Sequence, residues 1–436
     1  MKKILAAVLA STMALSLVAC GTSSDAGTGG TGGGQPDKIT VWHIQPEDTE
    51  ETSYHQRLLK WAEEFNAEHP DIQVEVSGAK SLDVILTTIA GGDTPDIFEN
   101  NWNMAPSWAD KGAILDLTDY VNNDTEWDKD DFFDAAWELC TYNDRIYSVP
   151  RLASTTVMTY RPDLLAEAGW DHFPENTDEL LQCAIDCTKL DEDGNIIQMG
   201  FIPDYYWLDN VLWPAAFGAS WMDGDQPDFS NDRIIAAYEF QKKIFDEFGY
   251  DNVRRFVDTF GHYATTEDPL FKGKVAMHWA PCENLDEMSE YGQGIDWKLA
   301  PMPVAPDGQG GQMLSCGVWE VNAKTKYPDS AWEVLSSLTS AETQKFLAEG
   351  DFNNGAYYSR KSALEYVVNE LDVDTAVKET ASIFLNEELY HFPMLSYTNE
   401  YLDTINVEMV QALMGNTTVE DAAAKVQEQM EAIANG

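Results

Sequence analysis

Residues 38–98 carry the pattern that decides the fold. Lys38 to Ile44 (KITVWHI) alternates apolar and polar residues as a strand does, and Ile72 to Val76 (IQVEV) does the same. Between them Tyr54, Leu58, Trp61 and Phe65 recur at helical spacing. That spacing predicts an amphipathic helix over 52–68, ending before His69-Pro70. Residues 81–90 read as a second helix, broken by Gly91-Gly92-Asp93-Thr94-Pro95, and Asp96-Ile97-Phe98 re-enters the sheet. Strand, helix, strand, helix, strand predicts βαβ units and a mostly parallel sheet, hence an α/β fold.

Further along, residues 143–159 (NDRIYSVPRLASTTVMT) read as extended chain crossing Pro150. Residues 162–168, 178–190 and 331–349 read as helices. Asp191-Glu192-Asp193-Gly194-Asn195 imitates the start of a calcium loop, but the twelfth position, which needs a bidentate Glu, is Ile202. A hairpin turn at Asp193-Gly194 is the better reading. Thr417-Thr418-Val419-Glu420 has capping-box spacing and starts a last helix with Val419, Ala423, Val426, Met430 and Ile433 on its inner side.

Ahead of this lies MKKILAAVLASTMALSLVAC, Met1 to Cys20: two lysines, a short apolar run, then Leu17-Val18-Ala19-Cys20. It resembles a bacterial lipoprotein signal peptide ending in a lipobox, which implies cleavage after residue 19 and lipidation of Cys20. Residues 20–36 continue as a Gly/Ser/Thr-rich flexible tether. The expected location is the outer face of the cell membrane, with a lipid anchor as the protein's sole membrane contact and two acyl chains sufficient to hold it. No later stretch has the ~20 apolar residues a membrane span needs.

About 400 residues remain after the tether, too many for one core and suited to two lobes. The chain has 27 Lys and Arg against 75 Asp and Glu, a formal charge of −48. Nucleic acid is therefore excluded as a partner, since it needs a basic surface. Five cysteines besides Cys20, namely Cys140, Cys183, Cys187, Cys282 and Cys316, cannot all pair internally. Cys183 and Cys187 fall on one helix face and are expected as buried small hydrophobes, not metal ligands. Neither a metal nor a cofactor is expected.

Several segments occur together in one order. They are Thr40-Val41-Trp42; residues 91–98 (GGDTPDIF); residues 112–117 (GAILDL); Ile146-Tyr147-Ser148-Val149-Pro150; residues 161–169 (RPDLLAEAG); and residues 271–277 (FKGKVAM). In this order they resemble the extracellular solute-binding proteins of the maltose/multiple-sugar group, the receptors of ABC importers. The resemblance covers essentially the whole chain after the tether. Two departures stand out. Arg161 replaces the usual Asn, and His278-Trp279 follows the "A-M" segment where a Gly and then an aromatic are common.

The resemblance implies a bilobal periplasmic-binding-protein-like fold: two α/β lobes, a multi-crossover hinge and a ligand cleft between the lobes. Residues 37–152 and 300–352 would form the N-terminal lobe, and 153–299 with 353–436 the C-terminal lobe. It implies a monomeric receptor that carries a carbohydrate to ABC permease subunits.

Sugar hydroxyls need fixed donors and acceptors, and sugar C–H faces lie against aromatic rings. Ligands of open α/β sheets bind beyond the carboxyl ends of strands. These arguments select Trp42 and His43, then Glu99, Asn100 and Trp102. The resemblance adds Arg151 and Ser154 after the crossover, and Trp207, Asn210 and Trp213 as a second-lobe wall. Trp279, Gly317 and Trp319 would close the cleft, with Tyr401 as a further contact. Each Trp could equally be core, and Trp61, Trp137 and Trp332, at helical spacing, are assigned there. Two other readings stay open: the same fold taking a polyamine, peptide or metal complex, and an exported glycoside hydrolase. The latter needs two carboxylates about 5–10 Å apart. No G-x-S-x-G, H-E-x-x-H or P-loop motif is present, so the chain is read as a non-enzyme.

Overall fold

A computed structural model describes residues 35–91, 95–203, 209–260, 265–282, 285–350 and 357–435. Pro36–Gly436 forms one compact unit. It opens as the sequence predicts: β1 (Asp37–Trp42), α1 (Tyr54–Glu68), β2 (Ile72–Ser77), α2 (Leu82–Gly91) and β3 (Ile97–Asn101). β1 pairs with β2 and β3, both in parallel. Ser53 caps α1 by accepting the Gln56 N–H, and the helix buries Leu58, Trp61, Ala62 and Phe65.

The parallel expectation holds at this edge and fails at the centre. Two long strands, Ser148–Tyr160 and Gln312–Val321, lie side by side and antiparallel. The second of them is also antiparallel to β3, and the first is antiparallel to the strand Val275–Pro281. That strand in turn pairs in parallel with Ile196–Phe201. The result is a mixed sheet. Twelve of the thirteen residues of Ser148–Tyr160 are buried, as befits a strand covered on both faces.

These two strands join the halves of a bilobal molecule. Val149, Leu152, Ala153 and Val157 belong to a first hydrophobic core, built on Ile39, Val41, Leu58 and Trp332. Met158 begins a second, built on Leu180, Phe201, Tyr238, Ile405 and Val426. The return strand starts in the second core at Met313 and enters the first at Leu314. We call them the first and second crossing strands. Helices Lys361–Asn369 and Thr375–Asn386 bury Leu364, Val367, Ala381 and Phe384 in the first core, although 353–436 was expected with the second lobe.

Local departures have local causes. The helix expected over 331–349 is two, Pro328–Leu338 and Ala341–Ala348. Ser340 caps the second by accepting the Thr343 N–H, and the buried Arg360 takes the freed Thr339 carbonyl with its Nε–H at 2.7 Å. The expected turn at Asp193-Gly194 joins Lys189–Leu190 to Ile196–Phe201, with Asp191 accepting the N–H groups of Asp193 and Asn195. In the last helix, Val419–Ala434, Val419, Ala423, Val426 and Met430 are buried, whereas Ile433 in the final turn is 43 % exposed. All five described cysteines are buried thiols outside any disulfide. Among the described residues no helix is long and apolar enough to cross a membrane.

Candidate functional site

The site starts from a bulge. Pro150 cannot donate to a ladder, and the register of the two crossing strands shifts between Gly317 and Val318. Leu152 faces Gly317 and Pro150 faces Val318, so Arg151 is the extra residue. A bulge re-aims a side chain, and here it points the guanidinium at β3. Arg151 Nη2 pairs with Glu99 Oε1, and both side chains are buried. Gly317 lies beside it, where an added Cβ would be in ordinary van der Waals contact with Arg151 Nε at 3.5 Å.

The rest of the cluster forms around that pair. Trp319 is the register partner of Glu99, and its ring centroid lies 6.0 Å from the Arg151 guanidinium. The ring of Tyr54, at the start of α1, lies at 5.4 Å. Glu99 Oε2 accepts the Ile44 N–H at 3.1 Å. His43 Nε2 meets His55 Nδ1 at 2.9 Å, and the His43 ring stands edge-on to Tyr54.

Burial governs the charges. It lowers His43 to about 3, helped by His55 and Arg151, so this imidazole is neutral at any working pH. It raises Tyr54 to about 12. It pushes Glu99 up against the pull of Arg151, and it also works against the charge of Arg151, where Glu99, Tyr54 and Tyr358 together overcome it and raise the guanidinium. The two directions disagree on whether the pair is ionic. We take it as charged, because a guanidinium keeps its proton and both carboxylate oxygens face donors.

Among the described residues, His43 Nδ1 and Arg151 Nε and Nη1 in this cluster have no hydrogen-bond partner, nor do Thr156 Oγ1 and Trp279 Nε1 further along the sheet. Such atoms also occur inside the cores, at Trp127 and Gln241 for example, so one orphan marks nothing. The strand-end group is different, because three orphans sit on two neighbouring residues of one cluster. Unmet donors of this kind call for a ligand or water.

The sequence candidates separate into groups. His43, Glu99, Arg151, Gly317 and Trp319 come together. Ser154 lies further along the first crossing strand, where its hydroxyl meets Cys282 Sγ at 3.6 Å. Trp42 is half-buried under Lys80. Trp102 is half-buried and packs against both cores, 6.4 Å from the ring of Phe392. Asn100 points to the opposite face of the sheet, where its Nδ2 donates to Glu320 at 2.9 Å. Trp213 is fully buried in the second core and donates to the Pro203 carbonyl at 2.8 Å, so it is not a wall residue. Tyr401 is also core, its hydroxyl donating to the Trp221 carbonyl at 3.1 Å. Trp279 is buried at the edge of the same core. Trp207 and the side chain of Asn210 lie outside the described residues.

Sequence reading missed Tyr54, His55, Tyr358 and Glu320. Tyr54 and His55 read as helix residues, and helical spacing hid their position at the helix mouth. Tyr358 influences Arg151 from a two-residue strand that pairs with Leu152–Ala153. A short strand like that carries no periodic signal.

This architecture, two α/β lobes joined by paired crossing strands with polar groups at the strand ends, is that of a ligand-capturing receptor. The family profile described as "Bacterial extracellular solute-binding protein" matches residues 49–345, and the chain belongs to that family. Its members are binding proteins, not enzymes. Among relatives, the chain is 24 % identical over 255 residues to a diacetylchitobiose binding protein, DasA, of Streptomyces coelicolor, covering 56 % of each chain. It is 27 % identical over 175 residues to an arabinooligosaccharide-binding protein of Bacillus subtilis, covering 39 % of this chain and 38 % of the relative. The matches thus span about half of these relatives or less. The solved structure titled "CpMnBP1 with Mannobiose Bound" superposes with a TM-score of 0.71 at 23 % identity, covering 91 % of this chain and all of that one, and shows the same fold.

Proposed function

We propose that this protein captures a carbohydrate outside the cell and delivers it, by lobe closure, to an ABC-type permease. The supporting observation is the buried Glu99–Arg151 pair with its unmet N–H donors, set against Trp319 and Tyr54. Such a pair offers donors to hydroxyl oxygens, and the half-buried Tyr54 ring offers an apolar face, with Trp319 buried behind the pair in the first core. The names of the relatives, a diacetylchitobiose and an arabinooligosaccharide binder, agree with this class.

The alternatives fit less well. A polyamine would bring ammonium groups to a buried guanidinium whose free edge already donates. A glycosidase needs two carboxylates flanking one bond. Among the described residues the buried carboxyls are Glu99, Glu320 and Asp268; the first two are the register partners of Trp319 and Phe98 and so lie on opposite faces of the sheet, and Asp268 pairs with His278.

The finer reading follows the sequence. Cys20 carries the lipid anchor, residues 20–36 are the leash, and the protein works as a monomer on the outer face of the membrane. Replacing Cys20 by Ala should abolish radiolabelled palmitate incorporation and release the protein into the medium; retention of label would refute the anchor.

The function is tested by a thermal-shift screen of Pro36–Gly436 against mono- and oligosaccharides, with polyamines and peptides as controls. A ligand at a hundredfold excess over Kd stabilises by about 2.7 kcal/mol. A shift with one sugar class and no turnover supports the proposal. A shift with polyamines or peptides alone overturns it.

A further inference from the structure

Glu320 belongs to none of the residue sets picked from the sequence. It follows Trp319 on the second crossing strand, so its side chain faces away from the Glu99–Arg151 pair. The side chain is fully buried. Asn100 Nδ2 donates to Oε2 at 2.9 Å and the Ser148 hydroxyl to Oε1 at 3.3 Å. These groups come from β3 and from both crossing strands. Burial pushes the carboxyl up to about 8, with Asn100 and Ser148 opposing it and no cation contributing.

The consequence runs along β3. Asn100, held by Glu320, accepts the Asn101 N–H on its Oδ1 at 2.9 Å. Asn101 is the N-cap of the short turn Trp102–Met104, and Trp102 is the side chain that packs against both cores. The hydrogen bonds thus run from both crossing strands through Glu320 and Asn100 to the chain entering the turn of Trp102.

We propose that Glu320 is a positioning residue: a buried carboxyl that fastens Asn100, and through it the turn carrying Trp102, to the roots of both crossing strands. Its neutral state suits the task. A protonated carboxyl can accept from Asn100 on Oε2 and donate its own Oε1–H to the Ser148 hydroxyl, which rotates to accept it, whereas a carboxylate can only accept and leaves a buried charge with no counter-ion. Among the described residues, two buried thiols lie on its side of the sheet. Cys140, beyond the helix Asp134–Glu138, is pushed well above its usual range by burial and by Cys316 and Glu320. Cys316, on Glu320's own strand, is raised by burial to about 12. Both are neutral near pH 8, so the acid titrates against an uncharged surround.

The role of Trp102 rests on the cleft reading above, so the test avoids a ligand. Amide hydrogen exchange of residues 97–104 is measured on Pro36–Gly436 as wild type, Glu320→Gln and Glu320→Ala, at pH 6.5 and 9, corrected for intrinsic base catalysis. Glu320→Ala should exchange at least tenfold faster at pH 6.5, and Glu320→Gln, an uncharged amide of the same shape, should stay within threefold of wild type. Wild type should loosen between pH 6.5 and 9, and Glu320→Gln should not. Protection unchanged in Glu320→Ala, or one pH response shared by wild type and Glu320→Gln, overturns the proposal. Where Glu320→Ala fails to fold, the pH comparison decides alone. A wild type that binds no sugar defeats the carbohydrate reading and leaves the exchange result standing.

Discussion

Arg151 and Glu99 form an ion pair in the interior of the sheet because Arg151 is the bulged residue of its strand. In regular register a residue at 151 would face a partner on the second crossing strand. The extra residue at Pro150-Arg151 frees it to pass over Gly317 and reach β3. A buried charge left without its partner is strongly unfavourable, on the order of 3–5 kcal/mol.

Arg151→Ala should therefore lower unfolding free energy by about 3–5 kcal/mol in urea, with Glu99→Leu comparable, since each strands one charge. The double variant Glu99→Leu/Arg151→Met should recover most of that loss, because apolar replacements of a buried pair are often neutral or better. Sugar affinity should stay at least tenfold weaker in all three. Recovery of binding along with stability in the double variant would show the pair to be scaffold.

Stability should depend on pH through Glu320. Its folded value, about 8, lies above the ordinary carboxyl value of 4.5. Its contribution is fully present below the unfolded pKa and is lost as pH rises through 8. Between pH ~5 and ~8 it should tilt the unfolding free energy downward by up to about 1.4 kcal/mol per pH unit. Subtracting the Glu320→Gln profile from wild type isolates this slope, and two parallel profiles would show that Glu320 titrates normally.

Two residues first read as cleft contacts should behave as core. Trp213→Ala, which empties a fully buried site and removes a bond to the Pro203 carbonyl, should cost about 3–5 kcal/mol. Tyr401→Phe removes one buried bond to the Trp221 carbonyl and should cost about 1 kcal/mol. At temperatures where both stay folded, calorimetric Kd should match wild type within threefold. A tenfold loss of affinity in Tyr401→Phe would return that residue to the cleft.

The opening βαβαβ run was legible because Leu58, Trp61 and Phe65 fix a helix period and KITVWHI and IQVEV fix strand periods, all within short range. The antiparallel centre was not, because pairing of residues 148–160 with 312–321 is a tertiary fact with no local periodicity. The binding cluster was half legible. Glu99 and Trp319 could be placed by their strand ends and by resemblance. The role of the Pro150-Arg151 bulge, the helix-mouth position of Tyr54 and the face occupied by Asn100 depend on register, which the sequence does not print. A one-residue change of register exchanges the faces of a strand, and that is why Glu320 was overlooked beside Trp319.

The thiols give the last prediction. Cys183 and Cys187 stand one helical turn apart with sulfurs 3.8 Å from each other, and Cys183 Sγ lies 3.9 Å from Met277 Sδ. All five cysteines of Pro36–Gly436 are buried thiols outside any disulfide. Burial keeps these thiols away from reagent, Cys187 included, although the hydrogen bond from Cys183 pulls that thiol down, and a thiol must become an exposed thiolate to react. In native buffer at pH 7.5, Ellman's reagent should therefore find fewer than one reactive thiol per chain over minutes, and five on unfolding in guanidinium. Reductant should leave Tm unchanged, since there is no bridge to break. A fast-reacting pair in the native protein, or a Tm that falls with reductant, would contradict the packed, reduced arrangement of the helix Thr177–Cys187.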